Sequence, residues 1–255
     1  MQNLIDELLE LSDPQVDNKI IKSFKLKDHL CPLIFDGNEN DGYSMKSDIR
    51  NKLIEISDQF IDFWGVEFFI HDIVLTGSLA NYNWSNYSDV DLHVLIDYDE
   101  LNYPKELIKE FFDAKKNVWN NNHDIKIKGF DVEVYVQDVN EEHISSGVYS
   151  ILHNEWVVEP KKETPNIDDR KILEKGEEYA KKIDKLIKKG PKSDTLQQIE
   201  ILRKKIKEFR QSGLESGGEY SYENLTFKLL RRNGYIEKLL KLKTDIVDKK
   251  LSITQ

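Results

Sequence analysis

The stretch TGSLANYNWSNYSDVDLHVLID, from Thr76 to Asp97, holds two aspartates one residue apart in a largely apolar run. Successive side chains of a β-strand point to opposite faces of the sheet, so Asp89 and Asp91 are expected to share one face. Two carboxylates so placed repel each other unless a cation lies between them. Oxygen ligands at this spacing suit Mg²⁺, which proteins usually hold with one or two carboxylates and substrate phosphates. The pattern therefore predicts a magnesium site.

A glycine–serine pair upstream predicts a place for phosphate. Gly77 and Ser78 end the β-rich run VEFFIHDIVLTG. Glycine lets a phosphate approach the backbone, and a serine hydroxyl with the following N–H groups can bind it. The same stretch thus combines a phosphate-binding turn with a metal-binding pair of acids.

A third acid would complete a site for two metal ions, in which both the attacking and the leaving oxygen are stabilised. The strand-like run GFDVEVYVQD supplies Asp131, Glu133 and Tyr135 on one face by alternation. Glu133 stands between two valines in mid-strand and is the better candidate, while Asp131, nearer the start of the strand, stays open as the alternative.

These residues resemble the signature of the polymerase-beta-like nucleotidyltransferase superfamily. The signature consists of Gly-Ser or Gly-Gly, a spacer of about ten residues, an acid–apolar–acid–apolar strand, and an acid on a later strand. Gly77-Ser78, ten further residues, Asp89-Val90-Asp91-Leu92, and then Glu133 or Asp131 match it. The C-terminal stretch EYSYENLTFKLLRRNGYIEKLL is also similar to phage-type versions of such proteins.

The resemblance implies a transfer reaction on an NTP, often ATP in this superfamily. The triphosphate would lie against Gly77 and Ser78, and Mg²⁺ on Asp89 and Asp91 would bridge its phosphates. The third acid would bind a second Mg²⁺ and help the acceptor hydroxyl lose its proton. Attack at the α-phosphorus would release pyrophosphate.

Composition sets outer limits on the class of protein. The chain has 255 residues with a formal net charge of −10, and 33% of its residues are charged. No apolar run approaches the roughly 20 residues that span a bilayer, so no membrane partner is expected. Cys31 is the single cysteine, which excludes an internal disulfide and favours a reducing cytoplasm.

The periodicity of apolar residues predicts an α+β fold. Helices are expected over residues 1–12, about 44–64 and 101–120, with a loop at PLIFDGNENDGYS. Strands are expected at VEFFIHDIVLTG, SDVDLHVLID and DIKIKGFDVEVYVQD, and a short hairpin at GVYSILHNEWVVEP. The result would be a small mixed sheet of the nucleotidyltransferase type with packed helices, followed by a C-terminal helical domain.

Two domains are predicted, a catalytic one over residues 1–158 and a helical one over 159–255. In the second, helices are expected over 167–189, 194–211 and 222–250, with Ser193 capping the middle one and SGLESGG as a hinge. Residues 159–255 carry 24 Lys and Arg against 17 Asp and Glu. This positive surplus favours RNA, for example a tRNA end, as the acceptor, while a small-molecule or protein hydroxyl stays open as the alternative. Arg231 and Arg232 are candidates for contacting the triphosphate or a nucleic-acid acceptor, and a solvated helix face is the alternative interpretation.

Other side chains near the motif allow two interpretations each. Tyr82, Trp84 and Tyr87 are expected to pack over the sheet, with stacking on a base as the alternative. His93 is expected as a polar residue at the rim of the site, with a tuned neighbour of the acids as the alternative.

The rival hypothesis from another class is a binding module. Such a chain would keep the fold and hold a nucleotide or nucleic acid without chemistry, as a structural or regulatory subunit. The presence of all three acids argues for the enzyme.

Overall fold

The computed structural model describes residues 14–141, 145–162, 165, 167–192 and 194–253. The chain folds into two compact units. The sheet unit spans Lys25–Glu163, and the helical unit combines the segment before Lys25 with the segment that begins at Thr164. The predicted helix over 1–12 and the predicted cap Ser193 lie outside the described residues.

The sheet unit holds a six-stranded mixed sheet, a separate two-stranded hairpin and long helices. The strands are β1 (Phe35–Asn38), β2 (Gly42–Met45), β3 (Asp72–Thr76), β4 (Val90–Ile96), β5 (Lys126–Ile127), β6 (Phe130–Asp138), β7 (Val148–Ser150) and β8 (Glu155–Val158). The helices of this unit are α2 (Ser47–Trp64), α3 (Lys105–Asn122) and the short 3₁₀ turns Ser78–Ala80 and Tyr98–Leu101.

The order of strands in the large sheet is β5-β6-β4-β3-β7-β8. β4 and β6 are parallel, because α3 crosses between them, and the other neighbours are antiparallel. Apolar side chains from one face of the sheet, from β1 and β2, and from α2 and α3 form one core that includes Phe60, Trp64, Leu92 and Phe112. The central strands β3, β4 and β6 are thereby held rigidly, and they carry the acids described below.

The helical unit consists of helices packed around two apolar clusters. Its helices are α1 (Pro14–Lys22), α4 (Asp169–Lys189), α5 (Thr195–Gly217), α6 (Tyr222–Arg232) and α7 (Tyr235–Leu251), with a 3₁₀ turn at Gly218–Tyr220. The α+β class predicted from the sequence, a mixed sheet with packed helices and C-terminal helices, is confirmed. None of the described helices has the length and apolarity needed to cross a membrane.

The division of the chain differs from the predicted one at its N-terminal side. The predicted boundary between 158 and 159 falls within a few residues of the observed one, but α1 groups with the C-terminal helices rather than with the sheet. Ile20 and Phe24 pack there against Ile172, Leu225 and Leu229. The helical unit is therefore built from two separated segments of the chain.

Three local predictions are corrected. The predicted loop PLIFDGNENDGYS contains the hairpin β1–β2, and the single helix predicted over 222–250 is two helices that break at Asn233 and Gly234. The predicted hinge SGLESGG is wrong, since α5 continues to Gly217. A Cβ on Gly213 would lie 2.5 Å from Glu223 Cβ, so glycine at this position allows close packing rather than bending.

Alanine in place of Ile20 tests the docking of α1. Ile20 is fully buried, so the loss of its side chain is expected to lower the free energy of unfolding by about 2–5 kcal/mol. Lys22→Ala on the same helix, an exposed position, is the control and is expected to change little. Urea unfolding followed by circular dichroism measures both; equal effects of the two variants would contradict the placement of α1.

Candidate active site

The acids predicted from the motif lie on and beside the central strands. Val90 and Leu92 are buried in the core, so the alternation of β4 turns Asp91 to the opposite face. Asp89 directly precedes β4. In the parallel pairing of β4 with β6, Asp91 stands opposite Glu133, which places their side chains on one face.

Three carboxylates converge at this point. Asp89, Asp91 and Glu133 each offer an oxygen, and these oxygens lie within 4.8 Å of one another. All three side chains are half-buried. Like charges this close raise the free energy of the folded chain unless a cation is shared among them, and an all-oxygen donor set is the one that Mg²⁺ prefers. The donor chemistry and spacing thus fit a divalent cation.

Asp131 lies outside this group. Its carboxylate forms an ion pair with Lys126 on the neighbouring strand β5, and its side chain is 65% exposed. Of the two acids left open by the sequence, Glu133 is therefore the one that meets Asp89 and Asp91.

Gly77 directly follows β3 and lies beside the carboxylate of Asp91. Its backbone has φ 72° and ψ −158°, a combination found almost only in glycine. A Cβ at this position would lie 2.0 Å from Asp91 Oδ2, well inside contact distance. Thr76 pairs with Asp91 across the two strands, which sets this close approach. The turn and the acids are therefore one packed unit.

Hydrogen bonds brace the turn that follows. Ser78 Oγ donates to Ser88 Oγ at 2.8 Å, and Ser88 Oγ also accepts from the Ser85 amide at 2.9 Å. The Gly77 amide donates to Ser145 Oγ at 3.3 Å, and Ser145 Oγ donates to the Gly147 carbonyl at 2.8 Å. Ser78, predicted to bind phosphate, thus lies in the turn with its hydroxyl directed at Ser88. Sequence reasoning missed Ser88 as a partner of this turn, because Ser88 belongs to no recognisable motif.

Tyr135 adds a contact to the third carboxylate. It follows Glu133 by two residues on the same face of β6, and its hydroxyl donates to Glu133 Oε2. Burial raises the pKa of the Tyr135 phenol, and the hydrogen bond to Glu133 and the charges of Glu133, Asp91 and Asp89 raise it further. The phenol is therefore protonated at neutral pH and acts as a donor.

His93, expected at the rim, lies beside Tyr135. The two residues are paired across β4 and β6, and their rings stack with centroids 4.9 Å apart and planes 27° apart. His93 Nδ1 lies 2.9 Å from Gln137 Oε1. A row of polar side chains thus continues along the sheet from the carboxylates.

The aromatic residues between the turn and the acids are mostly used for packing, as expected. Tyr82 is buried and meets Tyr43 edge-on, and Trp84 Nε1 donates to the His29 carbonyl at 2.9 Å. Tyr87 is 39% exposed. Of the three, Tyr87 has the most surface available for a base.

Arg231 and Arg232 occupy the last turn of α6 in the helical unit. Arg232 Nη1 donates to Ser23 Oγ at 2.7 Å, and its guanidinium carbon lies 5.1 Å from the centre of the Phe24 ring. Arg231 is exposed, and its charge helps to lower the pKa of Arg210, after the larger effect of burial. A triphosphate contact of either arginine stays a prediction.

A second group of possible metal ligands lies at the opposite end of β4. His71, Asp97 and Glu100 offer atoms within 4.8 Å of one another, and His71 Nε2 is 3.8 Å from Glu100 Oε2. Glu100 is exposed and Asp97 Oδ1 accepts from the Asp99 amide at 2.9 Å, so the capped turn after β4 accounts for the position of Asp97 without a metal ion.

Comparisons with known proteins add little to this geometry. No protein-family model and no curated protein matches the chain. Among solved structures, the chain is similar to the STING-associated CdnE c-di-GMP synthase from Capnocytophaga granulosa, at 13% sequence identity and a TM-score of 0.25, over 97% of this chain and 99% of that one. A likeness at this TM-score carries no argument about function, which depends here on the arrangement of the acids and the turn.

Proposed function

We propose that the protein is a Mg²⁺-dependent nucleotidyltransferase, which moves a nucleoside monophosphate from an NTP to an acceptor hydroxyl. The observation that carries the proposal is the meeting of Asp89, Asp91 and Glu133, with oxygens within 4.8 Å, directly against the turn at Gly77. A phosphate-binding turn and a divalent-cation site side by side are what this chemistry requires.

The three acids would have separate tasks. Asp89 and Asp91 would hold the two ions between them, and Glu133 would add the third carboxylate to one of them. When bound, Mg²⁺ neutralises the charge of the triphosphate and stabilises the attacking and leaving oxygens. The acceptor oxygen forms a bond to the α-phosphorus, the bond to the β-phosphate oxygen breaks, and pyrophosphate leaves. Glu133 would take the proton of the acceptor hydroxyl.

The turn would hold the triphosphate. Gly77 has no side chain to separate a phosphate from the Asp91 carboxylate, and the first N–H groups of the 3₁₀ turn Ser78–Ala80 have no partner within that turn. Ser78 would contact a phosphate by giving up its bond to Ser88.

ATP is the proposed nucleotide and RNA the proposed acceptor. On α5, Arg203, Lys207 and Arg210 are spaced four and three residues apart and therefore lie on one face. Together with Lys204 they line a groove of about 430 Å³ in the helical unit, whose lining also includes Glu200 and five apolar residues. The four basic side chains along this groove suit a phosphate backbone, and RNA binding is expected to weaken steeply as salt rises.

Glutamine in place of Glu133 and asparagine in place of Asp131 form a matched pair that tests the third acid. Glu133→Gln is expected to lower the transfer rate about 100-fold, since it removes one charged ligand from the reacting centre. Asp131→Asn removes an equal charge two residues away. Its transfer rate is expected to stay within a factor of about two of that of the unmodified protein, because exposed ion pairs contribute little to the stability of the fold. Pyrophosphate release under saturating Mg²⁺ measures both. If both variants lose the same fraction of the rate, the effect comes from the removed negative charge in this region and not from Glu133 in particular.

The decisive test of the enzyme against the binding module uses labelled nucleotides. The protein is incubated with each α-³²P-labelled NTP, Mg²⁺ and total cell RNA, and with protein and small-molecule fractions in parallel. Transfer of label to RNA supports the full proposal, and transfer to another fraction corrects the acceptor. Binding of ATP without pyrophosphate release in any fraction would favour the module.

A further inference from the structure

We propose that Tyr135 is a positioning residue, which holds Glu133 so that one chosen carboxylate oxygen faces the metal. The inference rests on the proposed function to the extent that Glu133 is taken as a metal ligand. It adds a residue that is not a ligand itself.

The hydrogen bond decides which oxygen of Glu133 is available. Tyr135 Oη donates to Glu133 Oε2, so Oε1 is the oxygen left to turn toward Asp89 and Asp91. A glutamate side chain has three rotatable bonds, and fixing such a side chain costs conformational entropy. A tyrosine that holds the side chain in advance offsets part of this cost before the ion arrives. Residues that form a hydrogen bond to a metal ligand without binding the metal themselves commonly orient that ligand.

Tyr135 is itself held in place. Its ring stacks on His93 from the neighbouring strand, with centroids 4.9 Å apart, and His93 Nδ1 lies 2.9 Å from Gln137 Oε1. Lys116 Nζ lies 5.1 Å from the centre of the Tyr135 ring. The ring is thus fixed by the imidazole and the ammonium group, and the hydroxyl has a defined direction. Gln137, His93, Tyr135 and Glu133 form one continuous row.

The proposal is distinct from a packing role for the tyrosine. Tyr135→Phe keeps the ring and its stacking on His93 and removes the hydroxyl alone. A residue that only packs would tolerate this change without effect on the metal. A residue that orients Glu133 would lose metal affinity while the fold stays intact.

Manganese is the probe for the test, because its electron paramagnetic resonance signal counts the free ion in the absence of nucleotide. Tyr135→Phe is expected to weaken Mn²⁺ binding about 10-fold, within the range of about 10 to 100 seen for such partners. In steady-state assays the same variant is expected to need more Mg²⁺ for half-maximal velocity and to recover most of its velocity at saturating Mg²⁺. His93→Ala, which leaves the hydroxyl but removes the stacking, is expected to weaken Mn²⁺ binding less.

Tyr149→Phe is the matched control. Tyr149 is buried in the same unit, and its hydroxyl accepts from the Met45 amide at 3.1 Å and donates to Asn154 Oδ1 at 3.1 Å. This variant is expected to lose stability and keep its affinity for Mn²⁺. A thermal unfolding curve for each variant separates the two effects.

The double variant Glu133→Gln with Tyr135→Phe completes a cycle. If the tyrosine acts through Glu133, the double variant binds Mn²⁺ no more weakly than Glu133→Gln alone. Unchanged affinity in Tyr135→Phe, or losses that simply add, would overturn the positioning role. Unchanged affinity in Glu133→Gln would instead remove the metal site on which the proposed function rests, so the two failures are distinguishable.

Discussion

Asparagine in place of Asp91 is expected to lower the rate of nucleotidyl transfer by about 1,000-fold or more, and asparagine in place of Asp89 by a similar factor. Asparagine has nearly the shape of aspartate but carries no charge, so the variant would keep the packing of β4 and lose a proposed ligand of both ions. Metal ions contribute several kcal/mol to the stabilisation of such transition states, which corresponds to this factor. Pyrophosphate release at saturating NTP and Mg²⁺ is the measurement.

The stability of Asp89→Asn and Asp91→Asn is expected not to fall with their activity. Asp89, Asp91 and Glu133 are like charges within 4.8 Å, so neutralising one of them relieves repulsion in the metal-free protein. The melting temperature without metal is expected to stay equal or to rise, while activity falls. Sites that trade stability for function in this way are common.

Asp97→Asn is the control for both variants. Asp97 follows the other end of β4 and is also half-buried, but it lies outside the three-carboxylate group. This variant is expected to keep its activity. Full activity in Asp89→Asn and Asp91→Asn together would remove the proposed mechanism, whatever the control shows.

Much of the candidate site could be predicted from the sequence, because it depends on short-range geometry. The alternation of β4 follows from Val90 and Leu92, which must be buried, and it sets the direction of Asp91. The choice between Asp131 and Glu133 did not follow from alternation, since both residues share a face. It depends on partners that lie elsewhere in the sequence: Lys126 pairs with Asp131, and the register of β6 against β4 places Glu133 opposite Asp91.

The errors in the predicted fold have a common physical cause, which is tertiary packing. The run SGLESGG has the composition of a hinge, yet Gly213 sits where Glu223 packs closely against α5, and this contact keeps the segment helical. The helix α1 precedes the sheet in the sequence, yet its apolar residues are buried against Leu225 and Leu229. Neither contact has a signature in local periodicity, because each partner is distant along the chain.

Alanine in place of Gly77 is also expected to have a large effect and to lower the transfer rate by about 100- to 1,000-fold. Its Cβ would lie 2.0 Å from Asp91 Oδ2, and the backbone at φ 72° and ψ −158° disfavours any side chain. Either the carboxylate moves away from the proposed shared ion or the turn opens, and both changes would displace reacting groups.

Gly65→Ala is the control: Gly65 also has a positive φ, 74°, but a Cβ there would meet nothing within 4 Å. We expect Gly65→Ala to lose about 1 kcal/mol of stability and to keep its activity, because the cost is confined to the backbone. Rates and unfolding midpoints measured side by side separate the two variants. Equal rates for them would show that Gly77 serves only the backbone and that the turn does not depend on its contact with Asp91.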